Sequence, residues 1–425
     1  MTVTTQRRLF TARAVARTSG SMPRFHHRAV PIVLVAVTID VIGFGIVMPV
    51  LPALVVELGR VDLANATRIG GWLLAAFAMA QFFAAPVLGA LGDRYGRRPV
   101  LIFSMLAFAL DYLLMAAAPS LAWLFVGRVV AGIAGATFGP AGAVIADVTP
   151  AERRAASFGL LGAAFGIGFM VGPALGGLAS AWGHRAPFVV AAALAAINAA
   201  TMIALLPETL DADHRRPFRW RQATVVHSFK PLFAAGNAAP LLIAWFLWQL
   251  GSMVYPATWS FWATIRFGWS AGEIGWSLAW VGFLSIIVQL GLTDRAVKRF
   301  GELGAAAIGL GCGAAVLLAY AFTTQGWQVY AFFLVGSLGA FAYPALSGLA
   351  SRMVDASRQG ALQGGLASIN SVAEIMGPVV AAQSLAIGVR HGFDGAAFLV
   401  AAGLVAAAGA IILVAARTLP PADAG

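Results

Sequence analysis

The chain has 425 residues, 60% of them hydrophobic and only 11% charged, with a mean hydropathy of +0.84. So little polar surface cannot cover a soluble globule, and the composition belongs to the membrane class. A formal net charge of +11 could suggest nucleic acid, but its placement in short loops reads as membrane topology and attraction to anionic headgroups.

Residues 1–30 carry Arg7, Arg8, Arg13, Arg17, Arg24 and Arg28 and no acid. A transit peptide has this composition; the reading adopted is a cytoplasmic tail, or an over-extended start with Met22 as initiator. Twelve apolar stretches follow, near 31–56, 69–91, 100–118, 121–145, 155–182, 187–206, 238–265, 273–293, 303–323, 326–350, 360–388 and 393–416. Each can span ~30 Å of hydrocarbon as a helix. They predict an all-α membrane protein of two six-helix bundles, 31–206 and 238–416. A polar linker, 207–237, joins the bundles, and a tail, 417–425, ends the chain. With both termini cytoplasmic, inner segments hold 22 of the 28 Lys and Arg and outer loops hold five. That asymmetry sets the orientation.

Span 1 contains Asp40, in TIDVIGFGIVMPVLP. An acid in an apolar span is costly, faces the bundle or a water-filled cavity, and is a functional candidate. Gly43, Gly45, Pro49 and Pro52 weaken the helix just beyond it. Span 2 offers Gln81 as a substrate contact. Spans 2 and 3 are joined by GALGDRYGRR, Gly89–Arg98, a tight hairpin. Gly92 and Gly96 allow unusual backbone angles there, and Pro99 presets the next helix. Asp93 with Arg94, Arg97 and Arg98 is read as a charge lock that breaks and re-forms during conformational change.

Asp111 in span 3 and Arg128 in span 4 lie, like Asp40, near mid-depth, ~10–17 Å from the span ends at 1.5 Å per residue. A pair among them can lock the bundle or carry protons. Span 5, GLLGAAFGIGFMVGPALGG, places glycines four apart for close helix contact and includes Gly172 and Pro173. Span 7 supplies Trp248 and Gln249 as a pocket for a flat aromatic ligand, with Trp259 and Trp262 read as interfacial belt. Span 11 holds Asn370, a further substrate contact, and Glu374, deep in the span. The second half echoes the first: Asp294-Arg295 follows Asp93-Arg94 by 201 residues, Gly377-Pro378 follows Gly172-Pro173 by 205, and Pro344 follows Pro140 by 204. The echo predicts two pseudo-symmetric halves that rock about a central site. No histidine lies well inside a span and Cys312 is the single cysteine, so no metal site is proposed.

The loop pattern Gly-x-x-x-Asp-Arg-x-Gly-Arg-Arg resembles the signature between helices 2 and 3 of the major facilitator superfamily, and the Gly172–Gly177 run resembles its proton-coupled exporter motif. IDVIGFGIVMPVLP, LDYLL, GRVVAGIAGAT, RFGWS and GALQG are similar to stretches of bacterial tetracycline/proton antiporters. The resemblance implies the major facilitator fold and no enzyme activity. It implies a proton-coupled exporter of a small drug-like molecule by alternating access, tetracycline first; the alternative is a proton-coupled transporter of another small metabolite, a sugar or organic anion, with no drug-resistance role. Asp40, Asp111 and Arg128 become proton-coupling residues, with Asp40 also touching substrate. It implies no bound cofactor beyond the proton gradient, and a divalent cation travelling with the drug. The expected setting is the bacterial inner (plasma) membrane, among lipid, as a functional monomer. Two positions depart from the pattern: Ser285 stands where the family has a histidine in helix 8, and Gly313 stands near a missing acid of helix 9. Glu374 is therefore expected to be a second proton site.

Overall fold

The computed structural model describes residues 28–135, 137–218, 239–352 and 359–415. The predicted N-terminal tail up to residue 27, residues 219–238 of the linker and the tail from 416 lie outside the described residues.

All regular structure among the described residues is helical, and twelve helices are long and apolar enough to cross a membrane. They are α1 (Ala29–Val47), α2 (Leu63–Tyr95), α3 (Arg97–Ala117), α4 (Leu121–Val148), α5 (Ser157–Trp182), α6 (Ala186–Leu205), α7 (Ala239–Phe267), α8 (Ala271–Gly291), α9 (Thr293–Phe322), α10 (Gly326–Arg352), α11 (Leu362–Arg390) and α12 (Ala396–Ala415). Each predicted span finds its helix. The expected hairpin between the second and third shrinks to a single residue, Gly96.

Besides α9, which turns at Gly301, four helices are interrupted. After α1 the chain turns at Met48–Val50 and resumes as the short helix Leu51–Gly59, with Pro52 in its first turn, where a missing N–H costs nothing. α4 is non-helical at Gly135 and Thr137. α7 breaks between Ser252 and Val254, and α10 tightens to a 3₁₀ turn at Ser337–Phe341. Broken spans are tolerated where protein or a cavity satisfies the freed backbone groups.

These features give the repeat its register. Gly96 (φ 106°) and Gly301 (φ 71°) make the same left-handed turn 205 residues apart. The breaks at Met48 and Met253 share that spacing. So do two ion pairs, Arg97–Asp147 at 3.3 Å and Arg352–Glu302 at 2.9 Å, with the charges exchanged. The 201-residue echo of Asp93 in Asp294 is therefore one helical turn out of register, and Asp93 corresponds to Lys298.

Among the described residues the closest contacts between the halves lie away from the α2–α3 turn. On α2 and α11, a Cβ built on Gly71 would lie 2.5 Å from Ala382 Cβ, so only glycine lets the helices meet there. Arg68 Nε donates to Gln383 Oε1 at 3.1 Å, and Arg390 Nη2 to Asn65 Oδ1 at 2.7 Å. On α5 and α8, a Cβ on Gly177 would lie 3.1 Å from Gly272 Cα. Toward the Gly96 end, Gly159 and Gly162 have nothing within 4 Å and Phe83 is 60% exposed. Among the described residues the bundle is closed away from the α2–α3 turn and open beside it.

The core of the second half is aromatic. Trp259 and Trp262 are buried among Tyr320, Phe333 and Phe398, with ring centroids 4.6–6.3 Å apart. They are therefore core residues and not the interfacial belt expected from their place near the end of a span.

Candidate functional site

The first half gathers the charges. Arg128 on α4 and Asp111 on α3 form an ion pair, fully enclosed, with Asp111 0% and Arg128 5% exposed. A Cβ on the neighbouring Gly127 would lie 2.6 Å from Asp111 Oδ1, so glycine makes room for the carboxylate. Arg128 also lies 5.6 Å from the Phe77 ring centroid, a further favourable contact for a cation. Arg128 does not pair with Asp40. Asp40 is half-buried and accepts a hydrogen bond from Thr137 Oγ1 at 2.6 Å. Thr137 sits in the α4 break, and Gln81 Nε2 reaches the same break, donating to the Gly135 carbonyl at 3.3 Å. Gln81, expected at a substrate, thus spends one amide hydrogen on backbone.

The α2–α3 turn is held from within its own half. Asp93 pairs with Arg97 at 2.6 Å, and Arg97 also reaches Asp147 on α4. Arg98 Nη2 donates to the Ile203 carbonyl at 2.6 Å, and Arg94 lies over the Tyr95 ring. Glu208, beyond α6, accepts the backbone N–H groups of Arg97 at 2.8 Å and Arg98 at 3.3 Å, capping the first turn of α3 as an anion at a helix N-terminus should. Gly96 supplies the backbone angle. Gly92 does not: it is helical and buried, and a Cβ there would lie 3.2 Å from Arg97 Nη1. Gly89 is also helical and has nothing within 4 Å. Gly172 and Pro173 on α5 pack against Gly45 of α1, and the Pro173 carbonyl abuts Gly275 of α8, so they occupy two helix seams at once. Gly96→Ala should meet both a strained angle and the Glu208 carboxylate. We expect a loss of ~1–3 kcal/mol, read as earlier thermal unfolding in detergent; an unchanged transition would contradict the turn described.

In the second half, Trp245 Nε1 donates to Asn370 Oδ1 at 2.7 Å. The Trp245 ring meets Trp248 at 5.7 Å and Tyr343 at 5.3 Å. Trp248 is half-buried and Tyr343 is 50% exposed. Gln249 lies next to this cluster on α7, half-buried. Glu374 lies well inside α11, and its side chain is exposed in the protein alone. The antiparallel register set by Arg68–Gln383 and Asn65–Arg390 carries it level with Phe77–Gln81 of α2, toward the open end. Asn370 is engaged by Trp245 and not by Glu374. Ser285 bonds back to the Val281 carbonyl at 2.8 Å. Among the described residues no group of three or more His, Cys, Asp or Glu is placed to hold a metal ion.

Twelve spans, a twofold repeat with one end open and a charged turn between α2 and α3 have a counterpart in known sequences. The sequence pattern of the Major Facilitator Superfamily matches residues 33–378. The chain belongs to that superfamily. This major facilitator is 41% identical over 378 residues to the class C tetracycline resistance protein of Escherichia coli, covering 89% of this chain and 94% of that one. It is 37% identical to the class E protein of the same organism, with 89% and 93% covered. In structure it is similar to the human organic anion transporter MFSD10, with a TM-score of 0.69 and 24% identity over 91% of this chain and 99% of that one; this likeness shows the fold alone. The protein is an integral membrane transporter and not an enzyme, and transport in this family needs no bound cofactor.

Three residues of this facilitator's site escaped the sequence reading. Thr137 lies within predicted span 4, Asp147 in the loop after it, and Glu208 in the predicted linker. The Pro207-Glu208-Thr209 stretch follows the end of α6 directly, and an acid beside a basic loop was the available signal.

Proposed function

We propose that this facilitator exports a tetracycline-type drug in exchange for protons. Similarity at 41% identity along nearly the whole of a tetracycline resistance protein carries the reading. Acids within the spans support proton coupling, since an intramembrane acid marks an ion or proton pathway. The Trp245–Trp248–Tyr343 cluster with Asn370 and Gln249 supports a site for a flat polycyclic ligand: aromatic faces hold the rings, and the amides fix their orientation. The drug carries its own divalent cation as a chelate; both are cargo. The open end, beside the arginine-rich α2–α3 turn, faces the cytoplasm together with both termini. Loading from inside the cell would then precede release across a bacterial inner membrane. Because both halves belong to one chain, a monomer surrounded by lipid suffices.

The test is a susceptibility panel in a pump-deficient host, followed by uptake into everted vesicles with and without an uncoupler. Tetracycline resistance that vanishes with the uncoupler is expected; resistance to none of the panel would sink the reading. Glu374 is proposed as the proton site of the second half, reached by water from the open end. Glu374→Gln keeps the size and a donor but cannot titrate, so drug-driven proton movement in vesicles should fall by at least ~10-fold. Unchanged magnitude and pH dependence would leave Glu374 without a proton role.

A further inference from the structure

Asp40 and the α4 break are one device, and the geometry points to Thr137 as its positioning residue. This inference rests on the reading of Asp40 as a proton site. We propose that the Thr137 hydroxyl transmits the protonation state of Asp40 to the break in α4, and so to the opening of the bundle.

The break is built and not frayed. Thr137 is 3% exposed, so its hydroxyl must find a partner inside the protein. The partner is the Asp40 carboxylate, at 2.6 Å. On the other side of the break, the Gly135 carbonyl is held by Gln81 of α2. Side chains of α1 and α2 thus hold two groups at the α4 break, the Thr137 hydroxyl and the Gly135 carbonyl. The counterpart break in α10 lies at Ser337–Phe341, but the counterpart of Asp40, 205 residues on, is Trp245, which bonds to Asn370. At the α10 break no acid is bonded among the described residues, and Ser337 bonds back to the Leu334 carbonyl.

Asp40 also faces its own half. It lines a small cavity with Val37 of α1, Met105 of α3, Thr137 and Ala141 of α4 and Met202 of α6, and no residue of the second half lines it. The titratable groups that face Asp40 are few. Tyr112 of α3 packs against Gly43, one turn along α1, and lies within electrostatic reach of Asp40 and of the Asp111–Arg128 pair. Against the same stretch of α1, α5 presents Gly168, and α6 presents Asn198, bonded to the Ala36 carbonyl at 2.9 Å; neither titrates.

An ionised carboxylate only accepts, so it holds the Thr137 hydroxyl pointed at α1. When a proton from water binds one Asp40 oxygen, forming an O–H bond, that demand ends. The threonine is then free to bond back to a carbonyl of its own helix, as helical threonines do. The α4 break loses its tie to α1, and its two segments can change angle.

The experiment needs no drug. Spin labels at Phe158→Cys on α5 and Leu290→Cys on α8, both exposed near the open end, in a Cys312→Ser background, report the gap between the halves by electron–electron distance measurement. In acidic and alkaline buffer the parent protein should show two different distance distributions. Asp40→Asn and Thr137→Val should lose that difference, and Thr137→Ser, which keeps the hydroxyl, should retain it. Thr137→Ala replaces valine if the valine variant fails to insert. The proposal is overturned by a parent protein that ignores pH, by a response that survives Asp40→Asn or Thr137→Val, or by a serine variant that behaves as valine. Failure to move tetracycline would count against the drug reading and leave this result standing.

Discussion

Asp40→Asn is expected to abolish proton-driven accumulation of drug in everted vesicles while leaving drug-for-drug exchange largely intact. Asp40 meets no cation among the described residues: Arg128, which lies well inside α4, is committed to Asp111. Its single side-chain hydrogen bond comes from a neutral hydroxyl. A carboxylate so placed within a membrane span is costly to leave charged, and binding a proton removes the charge. Asparagine fills the same space and still accepts from Thr137, so the fold should survive. It cannot take up a proton, and the gradient then has nothing to act on. The loss should reach ~10²-fold or more, the scale on which a proton-transferring group matters. Exchange needs only the alternation of two states of similar energy and should continue. If uphill accumulation persists in Asp40→Asn, the residue is structural.

The sequence made the spans legible because hydrocarbon imposes their length and apolarity. It made the α2–α3 turn legible because a left-handed angle at Gly96 excludes other residues. What it hid follows from the same physics. In a helix apolar all round, no periodicity separates the lipid face from the core face, so Trp259 and Trp262 passed for belt residues. Matching charged letters misplaced the repeat by one turn, since the halves preserve backbone geometry and ion-pair position but not sign: Arg97–Asp147 becomes Glu302–Arg352. Depth along α11 was readable, but whether Glu374 faces protein or the open cleft depends on how far the halves have parted. The α4 break showed in the sequence only as Gly135 near Pro140, and the partners that make it a site, Asp40 and Gln81, come from other helices.

Removing either member of the Asp111–Arg128 pair is expected to destabilise the protein far more than removing both. Both residues are buried, and their contact uses one carboxylate oxygen and one guanidinium nitrogen. Asp111 Oδ1 and Arg128 Nε are buried without a hydrogen-bond partner among the described residues. Such a pair is therefore a weak source of net stability, because desolvation consumes much of the attraction. Its members are nonetheless dangerous singly. Arg128→Met leaves a bare carboxylate beside Met115 and the Gly127 backbone, and Asp111→Asn leaves a bare guanidinium over Phe77. Each single change should cost ~3–5 kcal/mol, seen as reduced insertion and earlier thermal unfolding in detergent. The double variant buries no uncompensated charge, so it should recover most of that loss, giving a strongly positive coupling in a double-mutant cycle. Vesicle transport by the double variant then separates the two roles open to the pair. Drug-driven proton movement near the parent level assigns Asp111 and Arg128 to holding α3 against α4. Its absence from a stably folded double variant makes them part of the proton path with Asp40. Single variants as stable as the parent would contradict the enclosed pair itself.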